Sequence, residues 1–163
     1  MDNRNQLLQL SGTDSGGAGE VRLGKLPGGR RFFAAVEPMH GTNLTVYVEP
    51  KDWNGKDLWT RHVVDASLVD GHALACGDLL GVGSDQVVVG WRAMNKPGVK
   101  VGLRIFTPSE AEGQPWRMSV LDDNLMACED LCLADLNGDG ILDVVASGRA
   151  TKNVKVYFNE SPR

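Results

Sequence analysis

The chain alternates short runs of apolar, often β-branched residues with glycine-rich turns, and the pattern recurs along the sequence. The segment LACGDLLGVGSDQVVVGWR, which begins at Leu74, aligns without a gap with LCLADLNGDGILDVVASGR, which begins at Leu131. In each segment an apolar run ends at an aspartate, Asp78 or Asp135, and a second apolar run follows a glycine-rich stretch. Apolar runs of this length between turn residues predict a strand, a turn and a second strand.

A third copy of this unit precedes the other two. The segment VRLGKLPGGRRFFAAVEPMHG begins at Val21 and aligns in the same register, with Lys25 in place of the aspartate and Glu37 opposite Ser147. Further apolar runs then predict the remaining strands of the units. The third strands are NLTVYV from Asn43, VGLRIF from Val101 and NVKVYF from Asn153, and the fourth are LWTRHVVD from Leu58 and PWRMSVLD from Pro115.

Repeats of roughly 50 to 55 residues with four antiparallel strands each are typical of β-propeller blades. We therefore predict an all-β fold of three four-stranded antiparallel blades, forming a partial ring or half of a six-bladed dimeric ring. The blades are expected at residues 20–70, 71–126 and 127–163. Residues 1–19 are expected to hold an outer strand of a neighbouring blade, at Asn5–Ser11, and a linker.

Composition narrows the classes of partner. The 163 residues carry a net charge of −4 and no cluster of Lys or Arg, which argues against a nucleic-acid partner. No apolar window is long enough to cross a membrane and no signal peptide is visible, so no membrane partner and a cytoplasmic location are expected for the chain as given. The cysteines Cys76, Cys128 and Cys132 lack CxxC spacing and are expected to be buried free thiols.

The turn of the third unit has the pattern DxNxDGxxD, which is typical of a calcium-binding loop. Calcium takes six to eight oxygen ligands, and alternating carboxylate and amide side chains on a tight turn supply them. A metal-free, solvated turn is the alternative, and a bound ion would more often stabilise the turn than take part in catalysis. The predicted ligands are Asp135, Asn137, Asp139, the backbone carbonyl of Ile141, and Asp143.

This turn, with LDVVASG after it, resembles the FG-GAP or VCBS repeats of integrin-type and bacterial propellers. The resemblance extends from Val21 to Asn159, but only the third unit keeps the ligand set. It implies a propeller with one calcium ion in this chain.

Polar residues of all three units are expected to meet at the end of the strands opposite the calcium turn. The first two strands of each unit are antiparallel, so the start of one lies beside the end of the other. Convergent titratable groups in a concave site are candidates for binding or catalysis. Channel-lining ion pairs, a packing tryptophan and histidines that cap the strands are the alternatives. The residues are Glu37, His40, His72, Trp91, Arg92, Glu129, Asp130 and Arg149.

The strings EPMHG, GHALACGD, GWR and ACEDL are similar to the propeller part of the aldos-2-ulose dehydratase (1,5-anhydrofructose dehydratase) family and its bacterial relatives. That resemblance implies a lyase that removes water from an oxidised sugar, with His40 and His72 as base or as ligands of Zn²⁺ or another divalent metal, and Glu37 as their partner. Substrate binding would fall to Trp91, Arg92, Glu129, Asp130 and Arg149. Unlike this chain, those relatives have a full propeller and further domains.

A non-catalytic FG-GAP module is the alternative function. Such a module would use calcium for rigidity and bind a protein or a glycan. A truncated product without activity is a third reading. A homodimer or a longer propeller chain would in each case cover the apolar faces that three blades leave open.

Overall fold

The computed structural model describes residues 17–94 and 96–160. This part of the chain contains eleven strands and no helix, and the strands form three antiparallel sheets. The expected all-β fold of antiparallel sheets is therefore confirmed. The twelfth predicted strand, Asn5–Ser11, lies outside the described residues.

The strands follow one another within each sheet in chain order. The first sheet consists of β1 (Gly19–Lys25), β2 (Arg31–Glu37), β3 (Asn43–Val48) and β4 (Thr60–Asp65). The second consists of β5 (Gly71–Gly77), β6 (Gln86–Trp91), β7 (Gly102–Pro108) and β8 (Trp116–Asp123). The third consists of β9 (Cys128–Ala134), β10 (Asp143–Gly148) and β11 (Asn153–Tyr157).

The second sheet lies between the other two, because β5 contacts both β1 and β9. This position explains the run Val87–Val88–Val89, in which no polar residue alternates with the apolar ones. All of β6 is buried, since one face of the strand packs on the first sheet and the other on the third. A strand that is covered on both faces has an uninterrupted apolar sequence rather than an alternating one.

Two apolar cores separate the sheets. Phe32, Val36 and Val46 belong to the first core, between the first and second sheets. Leu131 and Val144 belong to the second core, between the second and third sheets. Burial of such side chains contributes about 1.5–3 kcal/mol each and is the main stabilisation of a sheet stack.

The first strand of each sheet, β1, β5 or β9, has an irregular register near its first residues. The shift falls between Gly19 and Val21 in β1, and between Gly71 and Ala73 in β5. In β9, Cys128 pairs with Gly148 and Asp130 with Ser147, so Glu129 has no partner residue on β10. Bulges of this kind redirect a side chain, and here the extra residues are Glu20, His72 and Glu129.

The second strand of the first sheet is displaced by one residue from the predicted alignment. Gly24 pairs with Phe32, whereas Gly77 pairs with Gln86 at the equivalent place in the second sheet. The first turn is therefore one residue shorter than the ungapped alignment implied. A one-residue shift moves every side chain of a strand to the other face of its sheet, and this applies to Glu37.

The cysteines are free, but only some are buried. Cys128 is buried and Cys76 is half-buried, and burial raises the pKa of each thiol to about 12. Cys132 is exposed, so the expectation that all three are buried is wrong for this residue. It lies on the face of β9 that points away from the second sheet, where the described residues place no further sheet.

No helix in the described ranges is both long and apolar enough to span a membrane.

Candidate functional site

The turn at residues 135–142 joins β9 to β10 and is held by its own first side chain. The carboxylate of Asp135 accepts hydrogen bonds from the N–H groups of Gly138 and Gly140, each at 2.8 Å. Both glycines have positive φ, 78° and 80°, which residues with a Cβ rarely adopt. The tight turn therefore follows from one aspartate and two glycines.

Two further side chains of this turn also bind its backbone. Asn137 accepts a hydrogen bond from the N–H of Asp139 at 3.1 Å, and Asp139 accepts one from the N–H of Ile141 at 2.8 Å. The amide of Asn137 donates to the carboxylate of Asp139 at 2.9 Å. The oxygens at positions 137 and 139 thus lie side by side on the exposed surface of the turn.

Asp143, at the start of β10, is fully buried. Its two oxygens accept hydrogen bonds from the N–H groups of Leu136, at 3.0 Å, and Asn159, at 2.9 Å. Both donors are neutral, and within the described residues no Lys, Arg or His forms an ion pair with this carboxylate. A buried carboxylate is costly without a compensating positive charge, so Asp143 is the group here that most needs a cation.

The carboxylates of the turn do not converge by themselves. Among the residues that the structure describes, no three His, Cys, Asp or Glu side chains form a group that could hold a metal ion. A calcium ion at this turn would therefore need the amide oxygen of Asn137 and a backbone carbonyl, with Ile141 the predicted one, besides the aspartates. The ligand set Asp135, Asn137, Asp139, Ile141 and Asp143 stays a prediction.

The equivalent turn of the second sheet is also closed by its first aspartate, although partly through different N–H groups, and it has Leu80 and Val82 in place of Asn137 and Asp139. Asp78 accepts hydrogen bonds from the N–H groups of Val82 at 2.9 Å and Gly83 at 2.7 Å. The place of Asp143 is taken by Gln86, which is fully buried and accepts a hydrogen bond from the N–H of Leu80 at 3.0 Å. The third-sheet turn therefore differs from the second-sheet turn by the side-chain oxygens at positions 137 and 139 and by a carboxylate instead of an amide at position 143.

At the opposite end of the sheets, two of the predicted catalytic residues meet. The rings of His40 and His72 stack with centroids 4.7 Å apart and planes at 23°. His40 is exposed and lies in the turn after β2 with a φ of 57°, and His72 is the bulged residue of β5. The structure thus brings together two imidazoles from neighbouring sheets.

His72 is oriented by the third sheet. Its Nδ1 lies 2.7 Å from the backbone carbonyl oxygen of Glu129. A carbonyl only accepts, so Nδ1 carries the proton, and in the neutral ring Nε2 keeps its lone pair for a proton or a metal. Nε2 lies 3.8 Å from the Glu129 carboxylate.

Glu129 connects the polar residues of the second and third sheets. Its carboxylate forms ion pairs with Arg92 and, at 3.1 Å, with Arg149. Arg92 also lies 3.7 Å from the carboxylate of Asp70. Both arginines therefore form an ion pair with Glu129, which was the alternative expected for them, although 79% of the Arg149 side chain is exposed.

An open cleft lies at this group of residues, which we call the polar cluster: His40, His72, Asp70, Arg92, Glu129 and Arg149. Asp70, Arg92, Glu129 and Arg149 line the cleft together with Met94 and Ala150. Two carboxylates and two guanidinium groups balance in charge, so the cleft suits a polar, uncharged ligand better than a strongly charged one.

Glu37 does not join the histidines. Its buried carboxylate accepts a hydrogen bond from Tyr47 and is bound by Arg61 through two nitrogens, at 3.1 and 2.8 Å. Tyr47 lies on β3 and Arg61 opposite it on β4, on the face of the first sheet that carries Ala35. The structure therefore gives Glu37 a pairing role within the first sheet, as follows from the one-residue shift of β2.

Two predicted substrate-binding residues are also placed differently from the rest. Trp91 is buried in the core between the first and second sheets, where its N–H donates to the carbonyl of Lys100 at 2.6 Å and Arg104 stacks on its ring at 4.5 Å. Packing thus accounts for Trp91. Asp130 is exposed, and its carboxylate accepts a hydrogen bond from the N–H of Leu131 at 2.9 Å rather than binding a side chain of the polar cluster.

Sequence reasoning missed Asp70 and Arg61, each of which pairs with a predicted site residue. Asp70 stands directly before Gly71, and an Asp-Gly pair between strands is a turn signal that could have indicated it. Arg61 gave no such signal, because its partner Glu37 is distant in sequence and was predicted on the other face.

Comparison with known proteins gives no match to a protein-family model, and no curated protein matches the chain significantly.

Proposed function

We propose that the chain is a calcium-stabilised β-propeller module that binds a partner, its three sheets being consecutive blades. Three features support the blade assignment. Strands follow one another within each sheet, the outermost strand of one sheet leads into the innermost strand of the next, and the innermost strands β1, β5 and β9 lie side by side. This is the plan by which four-stranded sheets are arranged around a propeller axis.

The observation that carries the calcium proposal is the contrast between Asp143 and Gln86. Both side chains are fully buried at equivalent positions and accept a backbone N–H. The second sheet uses a neutral amide there, and its turn has Leu80 and Val82 where the third has Asn137 and Asp139. A buried charge at one position and extra oxygens nearby, in the same turn, indicate a cation.

When bound, calcium would supply the positive charge that the buried carboxylate lacks. The residues of the turn would form the site around the ion. Asp135 holds the turn closed through two glycine N–H groups, and Asn137 and Asp139 present oxygens on its surface. The ion would serve as a stabiliser of the turn and of the link between β9 and β10, not as a reaction centre.

Thermal unfolding with calcium and with a chelator tests this proposal. A ligand at a hundredfold excess over its Kd stabilises by about 2.7 kcal/mol, which is a rise in Tm of several degrees for a chain of this size. We expect the rise in the wild type and its loss in Asp139→Ala. Asp78→Ala, in the second turn, is the matched control and should destabilise equally with and without calcium. Equal melting of the wild type in both buffers would contradict the proposal.

A second candidate function, favoured by the stacked histidines and the adjoining cleft, is recognition or conversion of a sugar at the polar cluster. Uncharged hydroxyl groups suit a cleft in which each arginine already faces a carboxylate. In a keto-sugar lyase, His72 would be the base or a Zn²⁺ ligand through Nε2, since Nδ1 is held by the Glu129 carbonyl.

His72→Ala tests this candidate. We expect loss of zinc binding by calorimetry, or of turnover of a keto-sugar, with little change in Tm, because His72 is only partly buried. His62→Ala, on β4, is the control and should leave both unchanged. If His72→Ala and His40→Ala destabilise the fold while metal and sugar binding are unaltered, the histidines are structural and the first proposal stands alone.

A further inference from the structure

The face of the third sheet that points away from the second carries exposed apolar side chains, and none of the residues that the structure describes packs a further sheet on it. Leu131, Leu133, Val144 and Ala146 pack toward the second sheet, so the residues that alternate with them point outward. On the edge strand β11, Val154 is 71% and Val156 42% exposed, and Phe158 just beyond it is 56% exposed. Soluble monomers rarely leave a contiguous apolar sheet face in water.

The equivalent face of the second sheet shows what such a face packs against. Cys132 and Val145 on the outward side of the third sheet align with Ala75 and Val88 of the second. Ala75 and Val88 are 7% and 0% exposed, because the third sheet covers them. Among the described residues, the last sheet therefore presents outward a surface that, one repeat earlier, forms a sheet-to-sheet interface.

On the first sheet, the β1 part of the matching half of that interface is exposed, whereas Ala35, Tyr47 and Trp59 on the same face are buried. The third sheet covers the second with Leu131 and Leu133, which align with Val21 and Leu23 of the first sheet. Val21 and Leu23 lie on the outward face of β1 and are 53% and 54% exposed. One chain thus carries both halves of the repeating interface, on sheets that cannot reach each other across the second sheet.

We propose that a second copy of this chain covers both faces, the first sheet of each copy packing on the third sheet of the other. Such a contact between different surfaces forms a closed ring or an open fibre, depending on the rotation. Propeller rings contain about four to eight blades, and the three described sheets of two copies would together form a ring of six. The inference rests on the proposed propeller arrangement and assigns its partner as a second identical chain.

Charge placed on either face tests the contact. We expect wild-type protein to sediment as a dimer at micromolar concentration, and Leu23→Lys and Val156→Glu each to sediment as monomers. Val120→Glu, on an exposed position of β8 away from both faces, is the matched control and should remain dimeric. Far-ultraviolet circular dichroism verifies that each variant is folded, and Val154→Glu replaces Val156→Glu if the latter is not.

Mixing the two variants identifies which faces meet. In a pair of one Leu23→Lys chain and one Val156→Glu chain, one interface sets Lys against Glu and the other is wild type, so the mixture should recover the dimer. Dimerisation of Leu23→Lys alone would instead mean that the third sheet packs on itself, and would overturn the proposal, as would a monomeric wild type or an assembly of more than two copies. Calcium-dependent melting of Val156→Glu is read separately, so failure of the dimer and failure of the calcium proposal are distinguishable.

Discussion

Asp122, at the end of β8, ties the second sheet to the third through hydrogen bonds. It accepts from Lys155 at 2.9 Å, from the hydroxyl of Tyr157 at 2.7 Å and from the N–H of Leu125 at 2.8 Å. Burial raises the pKa of this carboxyl, but the three hydrogen bonds outweigh burial and leave the pKa below its ordinary value. The ionised form is thus the one that the fold stabilises.

Lys155→Met should therefore destabilise the chain by about 1–2 kcal/mol at neutral pH, as expected for a lost charge-assisted hydrogen bond. Because the folded-state pKa of Asp122 is lowered, its contribution is present above the unfolded-state pKa, near 3.9, and is lost as pH falls through the lower folded-state pKa. The difference between variant and wild type in urea unfolding should shrink in that acidic range. Lys100→Met, which breaks the exposed pair with Asp123, is the control and should change stability by under about 0.5 kcal/mol. Equal losses in both variants would contradict this.

At the scale of the elements, comparison of the two equivalent turns distinguishes the residues that hold the turn backbone from those that would bind an ion. Asp78 and Asp135 both accept N–H groups from the turn. At positions 137, 139 and 143 the third-sheet turn has Asn, Asp and Asp where the second has Leu80, Val82 and Gln86, and of these counterparts Leu80 and Val82 are 41% and 64% exposed. Substitution at these exposed positions leaves the core intact.

Introducing the oxygens of the third-sheet turn at the equivalent positions of the second-sheet turn should therefore create a second calcium site. We expect the triple variant Leu80→Asn, Val82→Asp, Gln86→Asp to bind one more calcium ion than the wild type by calorimetry, and to melt at a lower temperature than wild type in chelator. The second effect follows because Gln86→Asp buries a charge without a partner. The double variant that retains Gln86 is the control. Unchanged calcium stoichiometry in the triple variant would show that the oxygen pattern does not determine binding.

The strands could be predicted from the sequence where the repeats align without a gap, as in the second and third sheets. The first sheet departs from that alignment because the turn between β1 and β2 is shorter by one residue. Since side chains alternate between the two faces of a strand, this shift of one residue placed Glu37 on the wrong face in the prediction. The stacking of His40 on His72 was within reach, since both lie at one end of neighbouring strands. The pairing of Glu37 with Arg61 depends on a long-range contact that no local pattern encodes.

At the scale of the whole molecule, the two candidate sites lie at opposite ends of the same strands. His72 and Glu129 stand near the first residues of β5 and β9, and the turn at 135–142 follows the last residue of β9. A strand of seven residues, the length of β9, spans about 20 Å at 3.3 Å per residue.

Substitutions at the two ends should therefore act independently. We expect the change in unfolding free energy of the double variant Asp139→Ala, His72→Ala to equal the sum of the single changes within about 0.5 kcal/mol, as for sites further than about 10 Å apart. Calcium should likewise leave the zinc affinity of the wild type unaltered. Arg92→Ala with His72→Ala, both of which remove a contact to Glu129, is the positive control and should be non-additive. A coupling energy above about 1 kcal/mol between Asp139 and His72 would show that the turn and the polar cluster form one cooperative unit. The calcium ion would then control the polar cluster as well as the turn.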